Sequence, residues 1–316
     1  MLSVITLIAG LVLVICGADW LTKGASALAR RFNISELVIG LTIVALGTSL
    51  PELVISVGSA IKGSSGIALG NVIGSNIFNG MFILGVAAII TPIKFNSRML
   101  SRELPFNVLA SLVLLLLSGS MLVGGAPDEF ITRYGGLLLL CFLAVFIRYT
   151  FSIPADDEAE ESVEVMSVGK LLLFIVAGLV ALIAGGNIFV NGATEVARML
   201  GLSEAVIGIT IVSAGSSLPE LAVSVNAARK GHVGIALGNV LGSSILNIFF
   251  ILGCSATIMP ISLDGFSYVD YYVLLASSVL IYMVGRFGGK SVITRFEGLL
   301  LVSGYVAYTA YLLMRA

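Results

Sequence analysis

Ten apolar runs, each about the length of a bilayer crossing, dominate this sequence and leave it few folds to choose from. Cutting at the charge clusters gives runs at roughly 2–22, 36–61, 66–91, 104–123, 131–151, 170–191, 204–228, 233–258, 268–285 and 296–314. A hydrocarbon core of about 30 Å needs about 20 apolar residues in a helix, because no backbone group can be left unbonded in lipid. Over all 316 residues, 58% are hydrophobic, 11% are charged and the mean hydropathy is +1.09. A soluble domain carries roughly a quarter charged residues, so soluble enzymes, nucleic-acid binders and disordered scaffolds are excluded, and the protein is an all-α integral membrane protein. The net charge of −1 offers nothing to a polyanion. Cys16, Cys141 and Cys254 lie in apolar runs and suggest neither a disulfide framework nor a redox role. A single histidine, His232, excludes a multi-histidine metal centre. The first run lacks a basic flank and a small-residue cleavage site, so it reads as a retained span rather than a signal peptide.

Residues 40–93 and 208–261 match at a constant offset of 168, with 34 of 54 positions identical and no gap. The matches include Gly, Pro, Glu, Asn and Ser in register, which shared apolar composition cannot produce. The chain therefore divides into a first five-span repeat (1–151), an acidic linker (152–169) and a second five-span repeat (170–316). Five spans is an odd number, so the second repeat enters the bilayer from the opposite side. Such inverted repeats are a transporter architecture, with the substrate held near the midplane. The linker holds six of the 18 acidic residues, Asp156, Asp157, Glu158, Glu160, Glu161 and Glu164, and reads as a solvated connection rather than a regulatory ion site. Thirteen basic residues fall on the linker's side and four (Lys62, Arg133, Arg198, Arg315) on the other. The positive-inside rule makes the linker cytoplasmic and both termini extracellular.

Glu52 and Glu220, at equivalent places, are the acidic residues near the middle of spans, and no Lys, Arg or His lies mid-span. A carboxylate at that depth costs about 2.5–3.5 kcal/mol on insertion scales. Each must either carry a proton or meet an imported cation. The flanking sequences, Gly47-Thr48-Ser49-Leu50-Pro51-Glu52 and Gly215-Ser216-Ser217-Leu218-Pro219-Glu220, favour a cation. Proline interrupts helix bonding and frees carbonyls, and Thr48, Ser49, Ser216 and Ser217 add hydroxyl oxygens. Gly66, Gly70, Gly74 and Gly234, Gly238, Gly242 make smooth faces for close packing. Beyond them Ser75 and Asn79, matched by Ser243 and Asn247, share a helical face; Asn71 and Asn239 read as interhelical hydrogen bonders. Oxygen-only ligands with two carboxylates suit Ca²⁺ or Na⁺. An empty site would strand two charges in low dielectric, so exchange is obligatory.

These motifs resemble the Na⁺/Ca²⁺ exchanger family of the cation/Ca²⁺ exchanger superfamily, in its short prokaryotic form: GTSLPE with GNVIGSNIFN and GSSLPE with GNVLGSSILN correspond to its two α-repeats. The resemblance implies a secondary antiporter in a plasma membrane, working by alternating access with about three Na⁺ per Ca²⁺, two short outer spans sliding against a core of spans two, three, seven and eight. It implies no cofactor and no enzymatic activity, with Na⁺, Ca²⁺ and the bilayer as partners and a monomer as sufficient. By position it makes Glu52 and Glu220 the central Ca²⁺ ligands, shared with Na⁺. Thr48 and Ser216 would add carbonyl and side-chain oxygens. Ser49, Ser217, Ser75 and Ser243, with carbonyls of Ala45 and Ser213, would complete flanking Na⁺ sites, and Asn79 and Asn247 would line the middle. Asn247 stands where several members, the K⁺-dependent branch among them, carry Asp, which speaks against K⁺ co-transport. A proton-coupled Ca²⁺ antiporter using the same glutamates and a cation channel are the rival readings.

Overall fold

The computed structural model describes residues 2–119, 130–153, 166–201, 213–263, 268–287 and 291–315. Its helices are α1 (Leu2–Phe32), α2 (Glu36–Thr48), α3 (Leu50–Ile61), α4 (Gly66–Ile90), α5 (Met99–Leu117), α6 (Arg133–Thr150), α7 (Val168–Met199), α8 (Ser213–Ser216), α9 (Leu218–Arg229), α10 (Val233–Ile258), α11 (Tyr268–Phe287) and α12 (Arg295–Arg315). Eight of these are long and apolar enough to cross a membrane, and α2 with α3, bent by 51°, make a ninth. The start of the seventh apolar run and the acidic stretch of the linker lie outside the described residues.

The helices of the first and sixth apolar runs, α1 and α7, run well past the charge clusters that mark the ends of those runs, to 31 and 32 residues. At 1.5 Å per residue each is about 45 Å long, half as much again as the hydrocarbon core. The overhang is helical because its charges are partnered. Asp19 pairs with Lys23 one turn on, at 2.7 Å, and with Lys230 between α9 and α10. Arg31 donates to the Met166 carbonyl at 3.3 Å. So the pair that lies together beside the core consists of the longest helices, not of short outer spans.

Glycine at every seventh position joins this pair. Gly10 meets Gly185 and Gly17 meets Gly178 across the pair, while Gly24 faces Leu171 and Ile175 on α7 and Gly192 faces Leu7 on α1, all so closely that a side chain at any of them would strike the facing backbone. A methyl at Gly178, for instance, would lie 2.6 Å from the Leu21 nitrogen and 2.9 Å from the Gly17 carbonyl oxygen. Backbones that approach this closely associate through dispersion, the attraction left to helices in lipid.

The remaining helices surround α10, whose apolar stretch is 94% buried, against 11% for α12 at the periphery. Contacts come in equivalent pairs. The second half of α4 rests on α12 through Gly85 and Gly298, and that of α10 rests on α6 through Gly253 and Gly136. Four two-residue strands close the helix ends: β1 (Ile93–Lys94) pairs antiparallel with β4 (Val292–Ile293), and β2 (Phe130–Ile131) with β3 (Ile261–Ser262). These short ladders are an addition to the all-helical expectation.

Gly178→Leu overpacks the α1–α7 seam. We expect a loss of about 1–3 kcal/mol or more, read as a lowered melting temperature in detergent, whereas Gly169→Ala, which meets nothing within 4 Å, leaves melting unchanged. Equal melting of both variants would show that the seam does not hold the pair together.

Candidate functional site

The chain breaks at the same place in each repeat. Ser49 (φ −83, ψ 10) ends α2, and α3 restarts from it, with Leu53 N–H donating to its carbonyl at 3.1 Å. Ser217 (φ −91, ψ 10) does the same before α9, with Leu221 donating at 3.1 Å. Pro51 and Pro219 therefore lie in the first turn of a new helix, where a missing N–H costs nothing; the interruption comes two residues earlier than proline chemistry alone suggests. A consequence is electrostatic. Glu52 and Glu220 each fall in the first turn of a half-helix, where the N-terminal end of the helix dipole favours negative charge.

Both carboxylates are fully buried (0% and 1% exposed), and among the described residues neither has a cationic partner. Each takes a hydrogen bond from the other repeat: Ser217 Oγ donates to Glu52 Oε1 at 3.1 Å, and Ser49 Oγ to Glu220 Oε1 at 2.9 Å. The serines freed by one break thus serve the glutamate beyond the other. Asparagines brace the half-helices from behind. Asn71 Nδ2 donates to the Glu52 carbonyl at 3.3 Å and to Ser56 Oγ at 3.0 Å. Asn239 Nδ2 donates to the Glu220 carbonyl at 3.2 Å and to Ser224 Oγ at 2.9 Å. Thr48 Oγ1 reaches Asn239 Oδ1 at 3.0 Å and the Ala45 carbonyl at 3.3 Å.

The other wall is built on irregular helix. α4 and α10 each loosen into a wider π-helical turn, at Phe78–Ile83 and Asn247–Leu252, placing Asn79 and Asn247 where the regular bonding gives way. Such turns recur at functional sites. The Phe78–Ile83 turn packs on α9, which carries Glu220, and the Asn247–Leu252 turn on α3, which carries Glu52. Four half-helices thus enclose one small region.

Among the described residues, six of the nine buried side-chain polar atoms that lack a hydrogen-bond partner belong to this region: Glu52 Oε2, Glu220 Oε2, Asn79 Oδ1 and Nδ2, Asn247 Oδ1 and Ser243 Oγ. Leaving a buried polar atom unpaired costs about 1–3 kcal/mol. Their concentration here is what a site shaped around an oxygen-seeking cation requires. No group of three or more His, Cys, Asp or Glu that could hold a metal occurs among the described residues; five of the six unpaired atoms are oxygens, from two carboxylates, two amides and a hydroxyl.

The structure brings Glu52, Glu220, Thr48, Ser49 and Ser217 together around the two breaks, and Ser75, Ser243, Asn79 and Asn247 are buried on α4 and α10. Ser216 is half-buried in α8 next to the second break. The Ala45 carbonyl already accepts from Ser49 N–H at 3.0 Å and from Thr48 Oγ1 at 3.3 Å, so an ion bound there would displace the threonine hydroxyl. Ser213 opens α8. Of the glycine faces, Gly234, Gly238 and Gly242 press against Glu36–Ala45, and Gly74 meets nothing within 4 Å among the described residues. One polar residue of this wall went unnoticed in the sequence: Asn76 donates through Nδ2 to the Ser244 carbonyl and accepts from Asn247 Nδ2, both at 3.0 Å. Its signal was present, since Asn76 faces Ser244 across the repeat alignment and breaks an otherwise matched GS-I-N pattern.

This arrangement has known counterparts. The sodium/calcium exchanger protein family matches residues 2–152 and 170–314. The chain is 37% identical over 319 residues to the putative antiporter CaxA of Alkalimonas amylolytica, covering 98% of each protein. It is 35% identical over 344 residues to the sodium/calcium exchanger MaX1 of Methanosarcina acetivorans, covering 97% of each. Its fold matches a solved structure of the sodium-calcium exchanger NCX_Mj, soaked with 2.5 mM Na⁺ and 0.1 mM Ca²⁺, at a TM-score of 0.84 and 32% identity over 98% of both chains. The chain belongs to the sodium/calcium exchanger family.

Proposed function

We propose that this protein exchanges Na⁺ for Ca²⁺ by alternating access, about three Na⁺ for each Ca²⁺, and that Glu52 and Glu220 share the transported ions. The observation that carries this reading is the reciprocal one: two buried carboxylates that, among the described residues, have no cationic side chain as partner, each bonded on one oxygen by the opposite repeat's serine and unpaired on the other. Two carboxylates balance one Ca²⁺. Several Na⁺ ions replace it by occupying the centre together with the flanking hydroxyls of Ser49, Ser217, Ser75 and Ser243, the carbonyls of Ala45 and Ser213, and the oxygens of Thr48 and Ser216. Asn79 and Asn247 line the middle. Stripped of cations, the site would hold unbalanced charge in lipid, so the protein changes its facing loaded and each ion leaves only against another.

Ten spans in two inverted repeats support this cycle. A pseudo-two-fold axis in the membrane plane accounts for the exchange of equivalent contacts between the halves: serine with glutamate, α4–α12 with α10–α6, β1–β4 with β3–β2. The loop contacts also sort by side. Lys230 with Asp19, Arg31 with Met166, and Lys94 beside Val292 fall on the basic face, and Arg133 with the Ile258 carbonyl, at 3.4 Å, on the other. On that threading the linker is cytoplasmic and both termini are extracellular, in a plasma membrane. The long α1–α7 pair, a smooth rod held by its glycine seam, is the element that moves across the core.

In proteoliposomes loaded with Na⁺, Ca²⁺ uptake should require internal Na⁺ and ignore an imposed pH gradient. Glu52→Gln and Glu220→Gln should each abolish it while the protein still inserts and melts cooperatively. Uptake that follows the pH gradient without Na⁺ would make the exchanger proton-coupled, and near-normal uptake by both glutamine variants would remove the glutamates from the site. Ser49→Ala and Ser217→Ala each delete one charge-assisted hydrogen bond, worth about 1.5–3 kcal/mol. Both should weaken apparent Ca²⁺ affinity by roughly tenfold or more, and by similar factors, since the two bonds are equivalent; a change confined to one serine would show that the halves do not share the load.

A further inference from the structure

The two central asparagines, Asn79 and Asn247, occupy matched positions but are held differently. Asn79 has, among the described residues, no hydrogen-bond partner on either amide atom. Asn247 is held by Asn76, and the direction of every bond in that chain is dictated. The Ser244 carbonyl can only accept, so the Asn76 atom facing it is the amide nitrogen, Nδ2, at 3.0 Å. Asn76 must then present its oxygen to the other side. That oxygen can only accept, so the Asn247 atom facing it is again the nitrogen, at 3.0 Å. The Asn247 oxygen is left turned away, buried and without a partner. An amide that could otherwise flip has one orientation, fixed by a backbone carbonyl two bonds away.

The first repeat has no such chain. The residue matched to Asn76 is Ser244, whose hydroxyl is spent on the Val240 carbonyl of its own helix at 2.9 Å. Among the described residues, therefore, nothing reaches Asn79 from the opposite repeat as Asn76 reaches Asn247. One amide oxygen is preset and the other can turn.

Building on the site assigned above, we infer that Asn76 is a positioning residue: it touches no ion, and it fixes Asn247 with its carbonyl oxygen presented to the transported cation. The same chain explains why position 247 carries an amide. A carboxylate there would set oxygen against the Asn76 oxygen and could not be held in this way unless protonated, whereas the amide is a neutral ligand that needs no proton.

The test is a double-mutant cycle on Ca²⁺ KM, measured by Na⁺-driven uptake in proteoliposomes with the full-length chain. Asn76→Ser places in the first repeat the residue that the second repeat carries. It should raise the Ca²⁺ KM roughly five- to tenfold, the worth of one orienting hydrogen bond. Asn247→Ala should raise it at least as much. The combined variant should match Asn247→Ala alone, because without an amide at 247 there is nothing left to orient. Effects that multiply in the double variant would show that Asn76 acts only through packing, and so would an unchanged KM in Asn76→Ser; either overturns the inference. If Asn76→Ser does not yield folded protein, Asn76→Thr is read in the same cycle against the same outcomes. Glu52→Gln run alongside separates the two levels: transport that survives it defeats the site assignment itself, whereas multiplying effects in an otherwise Glu52-dependent exchanger defeat only the role of Asn76.

Discussion

Two carboxylates buried inside the protein at membrane depth, with no cationic side chain between them among the described residues, set the terms for everything around them. The fold meets that cost with what a helical membrane protein has to spare: the positive ends of two half-helices and the hydroxyls exposed where those helices begin. Both come from interrupting a span rather than completing it, and backbone irregularity at membrane depth is tolerated only where protein or a cavity encloses it. The enclosing wall of α4 and α10 follows, together with its glycine faces, which let Leu37, Gly40 and Leu41 approach α10 closely enough to shut lipid out.

Much of this was legible in the residues because it rests on chemistry that sequence displays. A mid-span glutamate with no counter-charge, a proline just before it, and a second copy of both 168 residues on are each visible without coordinates. What escaped was geometry that several residues share. The break falls at Ser49 and Ser217 because proline is best accommodated inside the first turn, which moves the interruption ahead of it. The overhanging ends of α1 and α7 look like loops when charge is taken as an ending, yet Lys23, Lys230 and Arg31 find partners and the helices continue. The glycines of α1 and α7 recur every seven residues, a spacing hidden among 36 glycines until two helices are seen to meet. Asn76 needed both repeats side by side and a reason to care about one mismatch.

Near-symmetry makes the departures from symmetry informative. The backbone repeats itself closely at the breaks, at the π-helical turns and at the glycine contacts, so the two halves offer nearly the same frame to an ion. Differences sit in side chains: Thr48 against Ser216 and Asn76 against Ser244. A frame with strict two-fold symmetry would hold its cargo equally toward either side of the membrane. Differences of this size, at the level of single hydrogen bonds, suffice to bias a protein that must favour neither side too strongly.

The crossing of serine and glutamate also bears on how such a chain could have arisen. Ser49 completes the environment of Glu220, and Ser217 that of Glu52, so one repeat alone contains half of each arrangement and the whole of neither. On the inverted-repeat reading proposed above, an ancestor of one repeat would have acted only as a pair of copies inserted in opposite directions. Duplication and fusion would then have added no new chemistry, and would have allowed residues such as Asn76 and Ser244 to diverge.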